Sequence, residues 1–83
     1  MTEATKSLTK MDVTGSERSY TYDLTNLANG ETITTPLRVI NSVAGINRVT
    51  ADKPFGCTLS GGVATAVVST TTDEYRVTFK GAY

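Results

Sequence analysis

Residues 74–80 read EYRVTFK, and their alternation decides the fold class. Tyr75, Val77 and Phe79 fall on one side of an extended chain, and Glu74, Arg76, Thr78 and Lys80 on the other. A period of two with β-branched and aromatic residues on the apolar side is the signature of a strand with one face buried and one wet. The same pattern recurs upstream. In residues 20–25, Tyr20, Tyr22 and Leu24 alternate with Thr21, Asp23 and Thr25. Ile33, Thr35, Leu37 and Val39 share another alternating face, although Pro36 lacks an amide proton and must sit at an edge, a bulge or a switch between sheets. Phe55, Cys57 and Leu59 fall on one face, and residues 63–69 are nearly continuous apolar chain.

Turn signals separate these runs. Asn29-Gly30 tolerates positive φ, residues 52–54 (Asp-Lys-Pro) turn the chain, and Gly61-Gly62 breaks it in the manner of a hairpin. Residues 41–45 read as a connection, 46–51 as a weaker strand and 70–73 as a polar connection. Sixteen threonines against six serines suit half-exposed pleated surface. About six short strands at short intervals predict an all-β sandwich or a small barrel. Shared periodicity places Tyr20, Tyr22, Ile33, Leu37, Val39, Leu59, Val67, Tyr75, Val77 and Phe79 in the core.

Residues 1–18 differ in character. They are polar, of mixed charge and free of aromatics, and Gly15-Ser16 punctuates their end. They read as an extended N-terminal arm ahead of a β domain at 19–83. Leu8, Met11 and Val13 are too sparse there for a core and suit shallow pockets on a neighbouring subunit, which makes them the candidate partner-binding residues.

Composition narrows the chemistry. Eight Lys plus Arg balance eight Asp plus Glu, which argues against binding nucleic acid or an anionic membrane through bulk charge. There is no histidine, so the commonest general base and zinc ligand is missing. One cysteine permits no internal disulfide. No apolar run approaches the roughly 20 residues that span a bilayer, and the first residues lack the apolar core of a secretion signal, so the expectation is a reducing compartment. A chain of 83 residues buries only roughly 60% of its unfolded surface. Without disulfides or a metal, association is the remaining aid to stability, so a homo-oligomer or multi-copy assembly is expected.

Each possible site has a plainer reading. Asp73 and Glu74 are adjacent, so on a strand they point to opposite faces and cannot form a catalytic pair. Asp23, Asn26, Asn29 and Glu31 lack the spacing of a calcium loop, and Asp23 and Asn26 are expected to cap a turn. Cys57, between Phe55 and Leu59, reads as a small core hydrophobe. Arg38, Arg48, Arg76 and Lys80 could share an outer face with Tyr20 or Tyr83 and hold a single strand, but the balancing acids argue against it. The expectation is no enzyme, no catalytic residue, no cofactor and no metal.

Residues 20–34, YTYDLTNLANGETIT, resemble small immunoglobulin-like structural proteins of tailed bacteriophages. The resemblance lies in a strand ending in Asp23, a short turn with Leu27, and Gly30-Glu31-Thr32-Ile33 opening the next strand. Residues 60–81, SGGVATAVVSTTTDEYRVTFKG, are similar to the final hairpin of such proteins, with residues 63–69 pairing with 75–80. The resemblance implies a small immunoglobulin-like β-sandwich acting as a non-enzymatic virion component, assembled in the host cytoplasm. It would decorate or stabilise a capsid, with the major capsid protein or other virion subunits as partners. The alternatives are a tail or fibre adaptor and, from the residues alone, a small β-barrel that binds single-stranded nucleic acid.

Overall fold

A computed structural model describes residues 3–49, 55–68 and 73–82. The turn expected at residues 52–54, the threonines at 70–72 and Tyr83 lie outside the described residues. Seven strands are present among the described residues: β1 (Thr5–Thr14), β2 (Glu17–Thr25), β3 (Thr32–Thr34), β4 (Val39–Asn47), β5 (Cys57–Ser60), β6 (Val63–Ala66) and β7 (Tyr75–Ala82). They form two antiparallel sheets, one ordered β1-β2-β7-β4 and the other β3-β6-β5. The fold is an all-β sandwich.

The strand legible first in the sequence is central in its sheet. β7 pairs with β2 on one side and β4 on the other, so its two faces alone decide what each residue meets. Tyr75, Val77 and Phe79 are fully buried, whereas Arg76 and Lys80 are exposed. Tyr20 and Tyr22 sit opposite Phe79 and Val77 and share their inner face. Aromatic rings knit the two layers together. Phe55, just ahead of β5, meets Tyr75 edge-on at 5.8 Å and Phe79 at 6.5 Å, while within the four-stranded sheet Tyr22 lies 6.2 Å from Phe79.

The chain changes sheets between β3 and β4, and Pro36 lies in that crossing. The crossing segment is laid on glycine backbone. Thr35 N–H donates to the Gly62 carbonyl at 2.9 Å, Ile40 N–H to the Gly61 carbonyl at 2.9 Å, and Arg38 N–H to the Ala82 carbonyl at 2.8 Å. A Cβ on Gly62 would overlap the Leu37 carbonyl, and one on Gly81 the Val39 carbonyl. Only glycine admits so close an approach of two backbones.

That crossing also explains one misplaced core residue. Thr35 and Leu37 are buried as the alternation predicts, but the phase slips by one in the crossing, so Ile40 is buried and Val39 is 39% exposed. A further register shift between Ile40 and Ser42 follows. Residues 41–45, expected as a connection, belong to β4, where Gly45 leaves room for the Phe55 side chain. Leu59 and Val67 are also exposed rather than buried: Leu59 lies on the edge strand β5, and Val67 lies just past the end of β6.

One strand pairing is corrected as well. β6 does not pair with β7: it pairs with β5 and β3, and β7 lies in the other sheet. Alternation says which face is apolar but not which strand lies alongside. Strand order also departs from the constant-type immunoglobulin arrangement, in which the fifth strand lies between the second and fourth and the seventh beside the sixth. Here β7 and β5 have exchanged those places.

The segment set apart as an arm is integral to the sandwich. β1 pairs with β2 from Thr5–Thr25 to Thr14–Glu17, and the boundary drawn at Arg18 falls inside β2. Ala4 is buried and donates its N–H to the Thr32 carbonyl at 2.7 Å. Polarity misled because an edge strand whose outer face is wet buries few of its side chains.

Candidate interaction surface

Leu8, Met11 and Val13, the candidate partner-binding residues, come together on one face of one strand. Cross-strand neighbours in an antiparallel pair share a face. Leu8 is opposite Tyr22, Met11 opposite Tyr20, and Val13 opposite Arg18. The first two pairs fix that face as the inner one, because Tyr20 and Tyr22 are buried. Yet Leu8, Met11 and Val13 are 51%, 52% and 56% exposed.

The reason is a mismatch between the layers. β1 has 10 residues and spans about 34 Å at ~3.4 Å per residue. β3, whose edge meets the start of this strand through a bridge between Glu3 and Thr32, has three residues and spans about 10 Å. The inner face of β1 therefore outruns its cover. Three apolar side chains lie in a row along an open sheet edge. The register shift between Leu8 and Lys10 inserts Thr9, whose hydroxyl donates to the Thr21 carbonyl at 3.1 Å and keeps Leu8 and Met11 on one face although they are three apart.

Glu3 fixes where β1 begins. One carboxylate oxygen accepts the Lys6 ammonium at 2.7 Å and the Thr34 N–H at 3.0 Å, and the other accepts the hydroxyls of Thr34 at 2.8 Å and Thr32 at 3.3 Å. Partial burial pushes the Glu3 pKa up, but the hydrogen bonds from Lys6 and Thr34 and the Lys6 charge outweigh it and hold the group at about 2. The tie of Glu3 to the other sheet leaves no sequence signal, since Thr32 and Thr34 lie 29 and 31 positions away.

The opposite face of the same sheet is polar and internally paired. The Thr21 and Thr78 hydroxyls are 2.9 Å apart, and Lys80 approaches Glu17 at 3.7 Å. Asp23 takes Arg76 at 2.8 Å and Arg48 at 3.4 Å, rather than capping a turn. The Arg76 hydrogen bond, helped by the Arg76 and Arg48 charges, outweighs the opposing effect of burial and holds the Asp23 pKa below its ordinary value. Three of the four basic residues considered for nucleic acid, Arg48, Arg76 and Lys80, are thus in ion pairs, and Tyr20 belongs to the core. Asn29 accepts Val68 N–H at 3.2 Å and Glu31 accepts Ala28 N–H at 2.8 Å, so these two oxygens close loops. Asp73 accepts the Asn47 side-chain amide at 2.8 Å. Cys57 is half-buried against the core, and burial pushes its thiol pKa up.

No protein-family model, curated protein or solved structure matches the chain.

Proposed function

We propose that the chain is a non-enzymatic structural component of a phage particle, decorating or stabilising the capsid through the open edge of β1. The observation that carries this reading is the row Leu8, Met11 and Val13, half exposed on an edge strand beyond the reach of the second sheet. Surface apolar residues scattered singly need no explanation, but a row beside unpaired backbone is a place where another protein gains both apolar burial and main-chain hydrogen bonds. The similarity of residues 20–34 to phage immunoglobulin-like proteins supplies the kind of partner, a major capsid protein or another virion subunit.

The test mixes the full-length protein with shells assembled from the capsid protein of the phage concerned and measures bound copies after sedimentation. Many copies per shell, lost in a folded Leu8→Asp/Met11→Asp/Val13→Asp variant, is the expected result. Saturation at a handful of copies points to a tail or fibre position instead. Undiminished binding by the triple variant overturns the assignment of this surface.

A further inference from the structure

We infer that β1 is also a self-association edge, at which a second copy of the chain adds its own β1 in antiparallel register centred on Met11. The inference rests on the reading of Leu8, Met11 and Val13 as a contact surface and names one occupant for it.

The register follows from charge. Two edge strands related by a two-fold axis perpendicular to the sheet keep their inner faces on the same side, with the central residue opposite itself. The straight part of β1, after the Thr9 bulge, runs from Lys10 to Thr14. Centring on Lys10 sets two ammonium groups against each other, and centring on Asp12 sets two carboxylates against each other. Centring on Val13 leaves Asp12 opposite Thr14 and Lys10 opposite Ser16. Centring on Met11 places each Lys10 opposite the other copy's Asp12, twice, with the two Met11 side chains meeting between them.

These charges are available for exchange. Lys10 and Asp12 face each other within one chain at only 3.5 Å, with side chains 69% and 57% exposed, the most exposed ion pair among the described residues. Lys6, the other lysine on this edge, is instead committed to Glu3 and lies 5.9 Å from the centre of the Tyr22 ring. It therefore does not guard the edge as outward lysines on edge strands commonly do.

Faces agree with charge. Lys10 and Asp12 stand on the outer face with Thr21 and Ser19, whereas Met11 stands on the inner face with Tyr20. Pairing would join two four-stranded sheets into one, and the two apolar rows would line a single trough between the smaller sheets. Such a contact covers on the order of 1,000 Å² in all, the low end for a specific interface, so a weak, transient dimer is expected. A weak edge contact of this kind becomes effective when many copies are held side by side.

Sedimentation equilibrium of the full chain between about 10 μM and about 1 mM tests it. Wild-type protein should dimerise, and Lys10→Glu and Asp12→Lys should each weaken the dimer about tenfold or more, because each sets like charges opposite each other. An equimolar mixture of the two variants should recover dimer, since unlike charges then face across the contact; no effect confined to one chain can produce that recovery. Circular dichroism of each variant checks that the sandwich is intact. A wild-type protein that stays monomeric, or variants that dimerise equally well alone and mixed, would overturn the inference. If the triple aspartate variant still loses shell binding in that event, the contact surface stands and only its occupancy by a second copy fails.

Discussion

The carboxylate of Glu3 accepts both the backbone N–H of Thr34, at 3.0 Å, and its hydroxyl, at 2.8 Å. Thr34 belongs to the three-stranded sheet, whereas the strand that starts two residues after Glu3 joins the four-stranded one. One side chain thus ties the two layers at the end where β1 departs, and the remainder of β1 runs on uncovered.

This tie gives stability an acid dependence. Glu3 has a folded pKa of about 2 against an ordinary 4.5. Because the folded value is the lower one, its contribution is complete above the unfolded pKa and is lost as pH falls from about 4.5 through 2. The side chain is 41% exposed, so solvent screening reduces the contribution to about 1 kcal/mol. Urea midpoints at pH 7, 4 and 2.5 should fall for the wild type. Glu3→Gln should start lower at pH 7 and fall less steeply.

Phe79 carries the centre of the core, fully buried and in contact with both Tyr22 and Phe55. Phe79→Ala should cost about 3–5 kcal/mol, comparable with the whole stability of a small domain. The expected result is loss of the cooperative urea transition at 25 °C. A transition shifted by less than about 1 kcal/mol would mean that the sheets do not close on this ring.

Gly81 should be far less tolerant than its place near the end of β7 suggests. An added Cβ would collide with the Val39 carbonyl, which is backbone and cannot rotate away. Gly81→Ala should cost roughly 2–3 kcal/mol through a forced shift of the crossing segment. Its spectral signature would be backbone amide changes centred on Val39 and Ile40 rather than around Gly81 alone.

The sequence is most legible where both edges of a strand are paired and its two faces differ, as in β7, where strict alternation leaves Tyr75, Val77 and Phe79 buried. It is less legible at the sheet edges. β4 holds a register shift, and the crossing before it slips the phase, which moved burial from Val39 to Ile40. β1 presents mostly exposed side chains, so polarity gave the look of a free arm although β2 pairs along it. The partnership of β6 with β3 and β5 was hidden for another reason, since strands that alternate alike can pair with any neighbour. Of the contact surface, the three residues were visible as apolar positions in a polar stretch. Their common face depends on the bulge at Thr9, and their exposure depends on the shortness of β3, neither of which leaves a periodic trace.

The integral position of β1 and the openness of its apolar row lead to opposite expectations for two changes in the same strand. Replacing Leu8, Met11 and Val13 together by serine removes side chains that are already half in water, so each should cost about 0.5 kcal/mol or less. Deleting residues 1–14 instead strips β2 of one of its two partners, removes buried Ala4 and the Glu3 tie, and leaves Tyr20 and Tyr22 with a neighbouring strand only on the β7 side. That deletion should reduce stability by several times the cost of the triple serine variant and lower the urea slope, since less surface would be buried in the folded state. Urea unfolding of both proteins, followed by tyrosine fluorescence and far-ultraviolet circular dichroism, separates the two. A deleted protein with an unchanged midpoint and slope would show that β1 is an appendage on a domain complete without it. The expected pair of outcomes, a stable triple variant and a crippled truncation, requires that β1 serve as structure through its backbone and its first residues, while its apolar row is left over for contact.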